Sequence, residues 1–148
     1  DKVVKVGPDT LILTRRAATL GTIKPGDALG VAAKRGADGS LTAISINIFS
    51  PELWGRARKG QFPMASGDVM TNAVVTQYVD RVEGRMLYME YGDVTAVISV
   101  PATTEIHRLT TIGLGDLKPG MRVTVRGLVN PDGAITASTI IVDQPGQG

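Results

Sequence analysis

The sequence contains no cysteine and a single histidine, His107. Without cysteine the chain cannot form a disulfide framework, a thiolate zinc site or an iron–sulfur cluster, and it has no cysteine nucleophile. One histidine also excludes a metal centre that is built on several imidazole ligands. We therefore expect no metal ion and no other cofactor.

Long apolar runs and aromatic residues are scarce as well. No stretch approaches the roughly 18 apolar residues that a membrane-spanning helix needs, so association with a membrane is expected only through a partner. Aromatic residues make up 4% of the chain, and the net charge of +2 is too small to indicate a polyanion partner. The balance of 43% hydrophobic and 20% charged residues is that of a folded soluble protein.

β-Branched residues and turn formers dominate what is present. Val, Ile and Thr supply 42 of the 148 residues, and Gly and Pro add 26. Stiff β-branched side chains favour strands, whereas Gly and Pro interrupt helices. The sequence therefore predicts an all-β protein with short turns.

The chain repeats itself at a spacing of 94 residues. Ile23-Lys24-Pro25-Gly26 returns as Leu117-Lys118-Pro119-Gly120, and the Asp38-Gly39 pair returns as Asp132-Gly133. An ungapped comparison of residues 23–48 with 117–142 gives nine identities. Self-similarity at a fixed spacing indicates a duplicated structural unit, and we refer to the two halves as the first and second copies.

The amino-terminal parts of the copies align at a different spacing. Residues 6–11 match residues 82–87, which are 76 positions later, so the first copy is 18 residues shorter than the second. Loss of a middle strand would leave an unpaired edge. We therefore expect a hairpin to be missing between Arg16 and Ala17.

The repeated motifs are turn chemistry. Lys-Pro-Gly suits a type II turn, and Asp-Gly suits a tight hairpin. The apolar parity shifts near Ala43 and Ala137, after which Ile44, Ile46 and Ile48 alternate with polar residues. A β-bulge at these points would bend each hairpin and let a sheet curl. Bent hairpins of this kind favour small barrels.

These motifs resemble those of an uncharacterised bacterial family of small exported β domains of unknown function, in its two-copy proteobacterial subgroup. The second copy carries the pattern at Val79, Val82, Gly84, Leu87, 117–120, Val123, Val125, Gly127, Asp132, Gly133, Ala137 and Ile140. The first copy matches from Ile23 to Ile48 and more weakly from Val3 to Leu13. Gly60-Gln61-Phe62-Pro63-Met64 departs from the subgroup's Gly-His-Arg-Pro-Trp stretch. The resemblance implies export to the periplasm and a barrel of the oligonucleotide/oligosaccharide-binding (OB) type, and it implies no catalytic residue.

The expected architecture is two tandem small OB-like β-barrels that are joined by a long irregular linker. The first barrel covers residues 1–48, the linker 49–72 with a short helical turn, the second barrel 73–143, and a tail 144–148.

The linker is the first candidate site. Ser50 and Pro51 are typical of a helix N-cap and first helical residue. Trp54, Arg56, Arg58, Lys59 and Phe62 follow as candidate partner-binding residues, because Trp and Arg often anchor interfaces. The alternative is that the aromatic residues only pack between the two barrels.

A second candidate is a single-stranded nucleic acid or polyanion site. Tyr88 and Tyr91 could stack bases, and Arg122 and Arg126 could hold phosphates. The low aromatic content and the net acidic second half, 6 basic against 8 acidic residues, make nucleic acid the less favoured partner.

Metal and catalytic motifs are weak. Glu105 and His107 could share a strand face at a small-molecule or metal site, but no further ligand is indicated. No Gly-x-Ser-x-Gly elbow, phosphate-binding loop or calcium loop occurs. The sequence therefore favours a non-catalytic accessory or protein-interaction module of the bacterial envelope, as a subunit of a larger complex.

Overall fold

A computed structural model describes residues 2–81 and 84–144 and confirms that the protein is mostly β. The helix is α1 (Pro51–Arg56), and 3-10 turns cover Leu20–Thr22 and Leu114–Asp116. The strands are β1 (Val4–Lys5), β2 (Leu11–Ala17), β3 (Ala28–Arg35), β4 (Leu41–Phe49), β5 (Gly60–Pro63), β6 (Val69–Arg81), β7 (Gly84–Tyr91), β8 (Val94–Val100), β9 (Glu105–Thr111), β10 (Val123–Val129) and β11 (Ile135–Gln144).

The predicted turns are confirmed in both copies. The glycines of the two Lys-Pro-Gly motifs, Gly26 and Gly120, have φ values of 95° and 91°. The glycines of the two Asp-Gly turns, Gly39 and Gly133, have φ values of 84° and 87°. Only glycine adopts this region without strain, so these four positions fix where the chain reverses.

The predicted β-bulges are confirmed as well. The register between β3 and β4 shifts between Ala32 and Ala33, which pair with Ser45 and Ala43. Ile44, the residue that this shift skips, is 44% exposed. The prediction that Ile44 lies on the same face as the buried Ile46 and Ile48 is therefore wrong. One extra residue at a bulge shifts the in–out alternation of the strand by one, so Ala43 before the bulge and Ile46 after it both face the core and Ile44 does not.

The structure does not show the expected pair of separate barrels, because all the strands within residues 2–81 and 84–144 form one mixed 11-stranded sheet. Within it β3 pairs with β4 and β6, β6 with β7, β7 with β8, and β8 with β4. These five strands make a closed circuit of pairings. It joins the end of the first copy to the beginning of the second, so the two copies exchange strands.

Segment 49–72 is also more regular than the expected linker. It contains α1 and β5, and β6 already begins at Val69, where β5 pairs with it from Pro63 back to Gly60. Short pairing of this kind satisfies backbone groups that an irregular loop would leave to solvent.

A single shift of 94 residues relates the pairings on the two sides of the sheet. β4 pairs with β9 from Ser45–Glu105 to Phe49–Leu109. The positions 94 residues after Ser45 and 94 residues before Glu105 are Thr139 and Leu11, and this is the pair at which the β11–β2 pairing begins. β2 and β9 themselves pair antiparallel around Arg15–Leu109. An exchange of equivalent strands about a central antiparallel pair is the pattern of a pseudo-two-fold axis.

The same shift extends to the amino terminus. Val4 and Lys5 pair with Ile135 and Thr136, just as Ile98 and Ser99 pair with Leu41 and Thr42. The structural counterpart of β1 is therefore the end of β8, and the expected alignment of residues 6–11 with 82–87 is wrong. Residues 82 and 83 themselves lie outside the described residues.

The expected missing hairpin is not found either. β2 continues through Arg16 and Ala17, which pair with the consecutive residues Arg108 and His107 of β9. The counterpart of β2 is β9, and these strands have the same length of seven residues. The first copy is therefore not interrupted at this point.

Two apolar cores of very different size result. The large core lies inside the closed circuit and includes Leu29, Val31, Ile46 and Leu87. The small core consists of Ile12, Ala137 and Ile140, with Val4, Ile112, Leu117 and Val125 packed against it. The small core is built from counterparts of large-core residues, for example Val125 for Val31 and Ile140 for Ile46.

Candidate protein-interaction surfaces

The arm, which we define as residues 49–63, begins as the sequence predicts. The Ser50 hydroxyl accepts a hydrogen bond from the Leu53 backbone N–H at 3.4 Å, and Pro51 is the first residue of α1. Leu53 is buried, so α1 is attached to the sheet by this side chain. The N-cap and the buried leucine together place Trp54 beside the end of β4.

The aromatic residues of the arm stack on one another. The Phe49 and Trp54 rings lie 6.2 Å apart at an interplanar angle of 20°, and the Lys59 ammonium lies 4.8 Å from the centre of the Trp54 ring. The Phe49 ring of this stack lies against Gly30 of β3, where an added Cβ would be 2.7 Å from the ring. Glycine at position 30 therefore lets the ring approach the sheet.

The remaining arm residues also contact the first part of the sheet. The Arg58 guanidinium lies 4.4 Å from the centre of the Phe62 ring, and the Arg58 carbonyl accepts a hydrogen bond of 2.8 Å from the buried Asn72 amide. Arg56 is exposed at the end of α1. The structure thus gathers the five predicted partner-binding residues on one arm, where Trp54, Arg58, Lys59 and Phe62 already have partners within the chain.

The predicted nucleic-acid residues are not brought together. Tyr88 and Tyr91 lie on β7, whereas Arg126 lies on β10 and Arg122 just before it. Along the pairings of the sheet, β8, β4, β9, β2 and β11 separate these two strands. The tyrosines and arginines are therefore not on neighbouring strands, and their binding of a single strand stays a prediction.

Glu105 and His107 do share β9, two residues apart, as the sequence predicts. His107 pairs with Ala17 on one side and Asn47 on the other. No group of three or more potential metal-ligating side chains occurs among the residues that the structure describes. In the same part of the chain, no helix has the length and apolarity to cross a membrane.

An apolar surface that the sequence analysis missed lies beside β10. We call the part of the sheet that contains β3 and β4 the first side of the pseudo-two-fold axis, and the part that contains β10 and β11 the second side. Val123 is 43% exposed although its counterpart Leu29 is completely buried, and Val6 is 36% exposed although its counterpart Val100 is 4% exposed. We call the surface formed by Val6, Val123 and Val125 the open face. On the first side β6 and β7 cover the equivalent face. No described strand covers the open face on the second side.

The strand that borders the open face has a free edge. β10 pairs with β11 from Val123–Val142 to Val129–Ile135, and no other strand in residues 2–81 and 84–144 pairs with it. Its counterpart β3 has β4 on one side and β6 on the other. Unpaired backbone groups on an exposed strand are a ready site for another strand to add.

The free edge is basic. Arg122 and Arg126 alternate with the inward residues Val123 and Val125, so their side chains are on the outer side of the sheet. Neither arginine forms an ion pair with a described residue. Their counterparts on β3 are Ala28 and Ala32, so the two arginines belong to the second side alone.

One sequence signal could have revealed the open face. The spacing of 94 continues to the amino terminus, where Val3, Val6, Thr10 and Ile12 are identical to Val97, Val100, Thr104 and Ile106. The hydroxyls of Thr10 and Thr104 donate equivalent hydrogen bonds to the carbonyls of Ala137 and Ala43, at 2.8 and 3.0 Å. The alignment at 76 residues obscured this relation.

Comparison with known proteins assigns a family to part of the chain. Neither the curated proteins nor the solved structures gave a match. A family model does match residues 94–141, which run from the start of β8 into β11. The counterparts of these four strands in the first copy are β1 to β4. Residues 94–141 form a domain of the family described as Domain of unknown function (DUF5666).

Proposed function

We propose that this protein is a non-catalytic protein-interaction module of the bacterial envelope, acting as an accessory subunit of a larger complex. The observation that supports this proposal is the open face, where Val6 and Val123 are exposed while their counterparts Val100 and Leu29 are buried. Contiguous exposed apolar surface marks many protein–protein contact sites, and the chain's own strands cover the equivalent surface on the other side.

The fold proposal is a strand-exchanged form of the expected architecture. The pairing order β6–β7–β8–β4–β3, closed by β3–β6, supports an OB-like barrel made from both copies. The corresponding strands on the other side, β1, β11 and β10, form the open half of a second, equivalent barrel. A half-barrel exposes the residues that a whole barrel would enclose, so binding a partner would bury them.

The arm fits a stabilising role better than a binding role. Its Trp54 and Phe62 rings are each covered by a cation from the same arm, and Asn72 holds its backbone to β6. We therefore propose the open face as the main partner contact. The alternative contact is the arm, with Trp54, Arg56, Arg58, Lys59 and Phe62 as its binding residues.

Site-specific photocrosslinking in the bacterial host tests this proposal. A photoreactive phenylalanine replaces Val123 in one variant, Val97, which is 41% exposed on β8, in a second, and Trp54 in a third. We expect one discrete crosslinked protein from position 123 and none from positions 97 and 54. Equal crosslinking at positions 123 and 97, or crosslinking at position 54 alone, would contradict the proposal.

A second substitution shows whether the open face itself is needed. Val6→Glu places a charge on the open face, whereas Val94→Glu places one at a position that is 48% exposed on β8. The adduct at position 123 should disappear with Val6→Glu and persist with Val94→Glu. Persistence in both variants would show that the adduct reflects proximity alone.

A further inference from the structure

We infer that the free edge of β10 takes up a β-hairpin from a partner protein, and that the partner strand beside β10 carries acidic residues opposite Arg122 and Arg126. This inference rests on the proposed function and specifies the mode of binding and the chemistry of the partner. It comes from comparing the two sides of the pseudo-two-fold axis, one of which is complete.

The complete side shows the shape of the occupant. β6 pairs antiparallel with β3 from Ala28–Val74 to Ala33–Val69, and β7 continues from β6 to pair with β8. A shift by 94 residues maps these β3 positions onto residues 122–127, and it maps the end of β8 onto β1. An occupant that completes the second side is therefore a hairpin whose first strand is antiparallel to β10.

The inner side of the occupant is specified by the residues it must face. On the complete side Ala73, Thr71 and Val69, all buried, pair with Leu29, Val31 and Ala33. At the second side the corresponding positions are Val123, Val125 and Gly127. Small or β-branched side chains at alternate positions of the partner strand would close the small core over Ile12, Ala137 and Ile140.

The outer side of the occupant is specified by charge. Ala28 and Ala32 pair with Val74 and Met70, and their counterparts Arg122 and Arg126 would pair with the same two positions of the partner strand. Opposite charges at directly paired positions stabilise an antiparallel pair, and like charges destabilise it. Acidic residues four positions apart are therefore the expected recognition feature.

A second copy of this chain fits the edge poorly. Its hairpin is already engaged, since β6 pairs with β3 and β7, and β7 pairs with β6 and β8. Pairing of two β10 edges would bring two arginine-bearing strands together without an acidic residue from 121 to 129 on either. A separate acidic hairpin is the better occupant.

Synthetic peptides that contain residues 69–91 of this chain provide the probe, because this segment forms β6 and β7. One peptide carries Met70→Glu and Val74→Glu, a second carries Met70→Lys and Val74→Lys, and a third is unchanged. Binding to the 148-residue chain is measured by titration, and the contact is located by residue-resolved amide exchange. We expect the acidic peptide to bind about tenfold more tightly than the unchanged one, since it adds two cross-strand ion pairs.

The location of the protected amides distinguishes addition of the peptide to β10 from displacement of the chain's own β6. Strand addition should slow the exchange of β10 amides that do not bond to β11, with β3 unchanged. Protection without any change at β10, or displacement of the chain's own β6, would overturn the inference, as would the absence of binding by all three peptides. Concentration-dependent dimerisation of the chain through β10 would also overturn it.

A charge reversal keeps the result independent of folding defects. Arg122→Glu combined with Arg126→Glu changes only outer side chains, and it should reverse the preference from the acidic to the lysine peptide. An unchanged preference would overturn the inference. If the cellular crosslink at position 123 persists while no peptide protects β10, the proposed function stands and strand addition fails.

Discussion

At the scale of single residues, the pseudo-two-fold axis supplies matched pairs that differ in burial and little else. Val31 and Val125 occupy equivalent positions in β3 and β10, but Val31 is fully buried and Val125 only partly so. Side chains removed from a packed core leave a cavity, whereas partly exposed ones lose little contact. The free energy of unfolding should therefore respond very differently to the same change at the two positions.

Val31→Ala should lower the free energy of unfolding by roughly 2–3 kcal/mol, and Val125→Ala by less than about 1 kcal/mol. Denaturant unfolding of both variants measures the difference. Similar losses would mean that the second side buries Val125 as well as the first side buries Val31, which contradicts an open face.

One carboxylate in a turn gives a pH-dependent prediction. A hydrogen bond of 2.6 Å from the Ser40 hydroxyl, together with one from the Ser40 backbone N–H, holds the pKa of Asp38 below its ordinary value. A carboxyl whose pKa is depressed on folding adds stability above its unfolded pKa, and this stability is lost as the pH falls through the folded pKa.

Ser40→Ala removes the larger contribution and should move the pKa of Asp38 upward toward its ordinary value. Carboxyl chemical shifts followed against pH measure the change. Ser66→Ala is a suitable control, because the Ser66 hydroxyl donates to Asp68 in another turn. An Asp38 pKa that moves equally in both variants would contradict the assignment.

At the scale of elements, the arm and β3 depend on each other through Gly30. An added Cβ at this position would lie 2.7 Å from the Phe49 ring and 2.8 Å from the Asn72 Oδ1 atom. Phe49 carries the Trp54 stack, and Asn72 holds the arm through the Arg58 carbonyl. A side chain at position 30 must therefore displace the contacts that attach the arm.

Gly30→Ala should lower the free energy of unfolding by about 1–3 kcal/mol through overpacking, and it should shift the fluorescence of Trp54, the single tryptophan. Gly55→Ala is the control, because Gly55 lies in α1 with nothing near an added Cβ, so this change should stabilise the helix slightly. An unchanged Trp54 spectrum in Gly30→Ala would contradict the proposed covering role of the arm.

Local chemistry explains why some elements could be predicted and others could not. Pro and Gly at fixed positions determine the turns at Gly26 and Gly120, and the parity shift after Ala43 and Ala137 reveals the bulges. The capped helix at Ser50 and Pro51 follows from the same kind of local rule. The pairing of β3 with β6 rather than with its own copy's first strands depends on contacts between distant residues, which no turn motif reports.

At the scale of the whole molecule, two equivalent sets of strands meet at the antiparallel β2–β9 pair and differ in completeness. One set receives β6 and β7 and encloses Leu29, Val31 and Leu87. The other leaves β10 with a free edge and Val123 exposed. The sequence predicted the duplication and the β class, but two tandem barrels required each copy to pair within itself. The repeat spacing of 94 residues extends back to Val3, and this was the sequence feature that indicated an exchange of strands between the copies.

Residue-resolved amide hydrogen exchange on the isolated 148-residue chain tests this asymmetry most directly. Among amides that do not bond to β4 or β11, those at 28–33 of β3 should exchange slowly because β6 covers them, and those at 122–127 should exchange as fast as exposed loop amides. Equally slow exchange on both strands would contradict the account, because the second side would then already be closed.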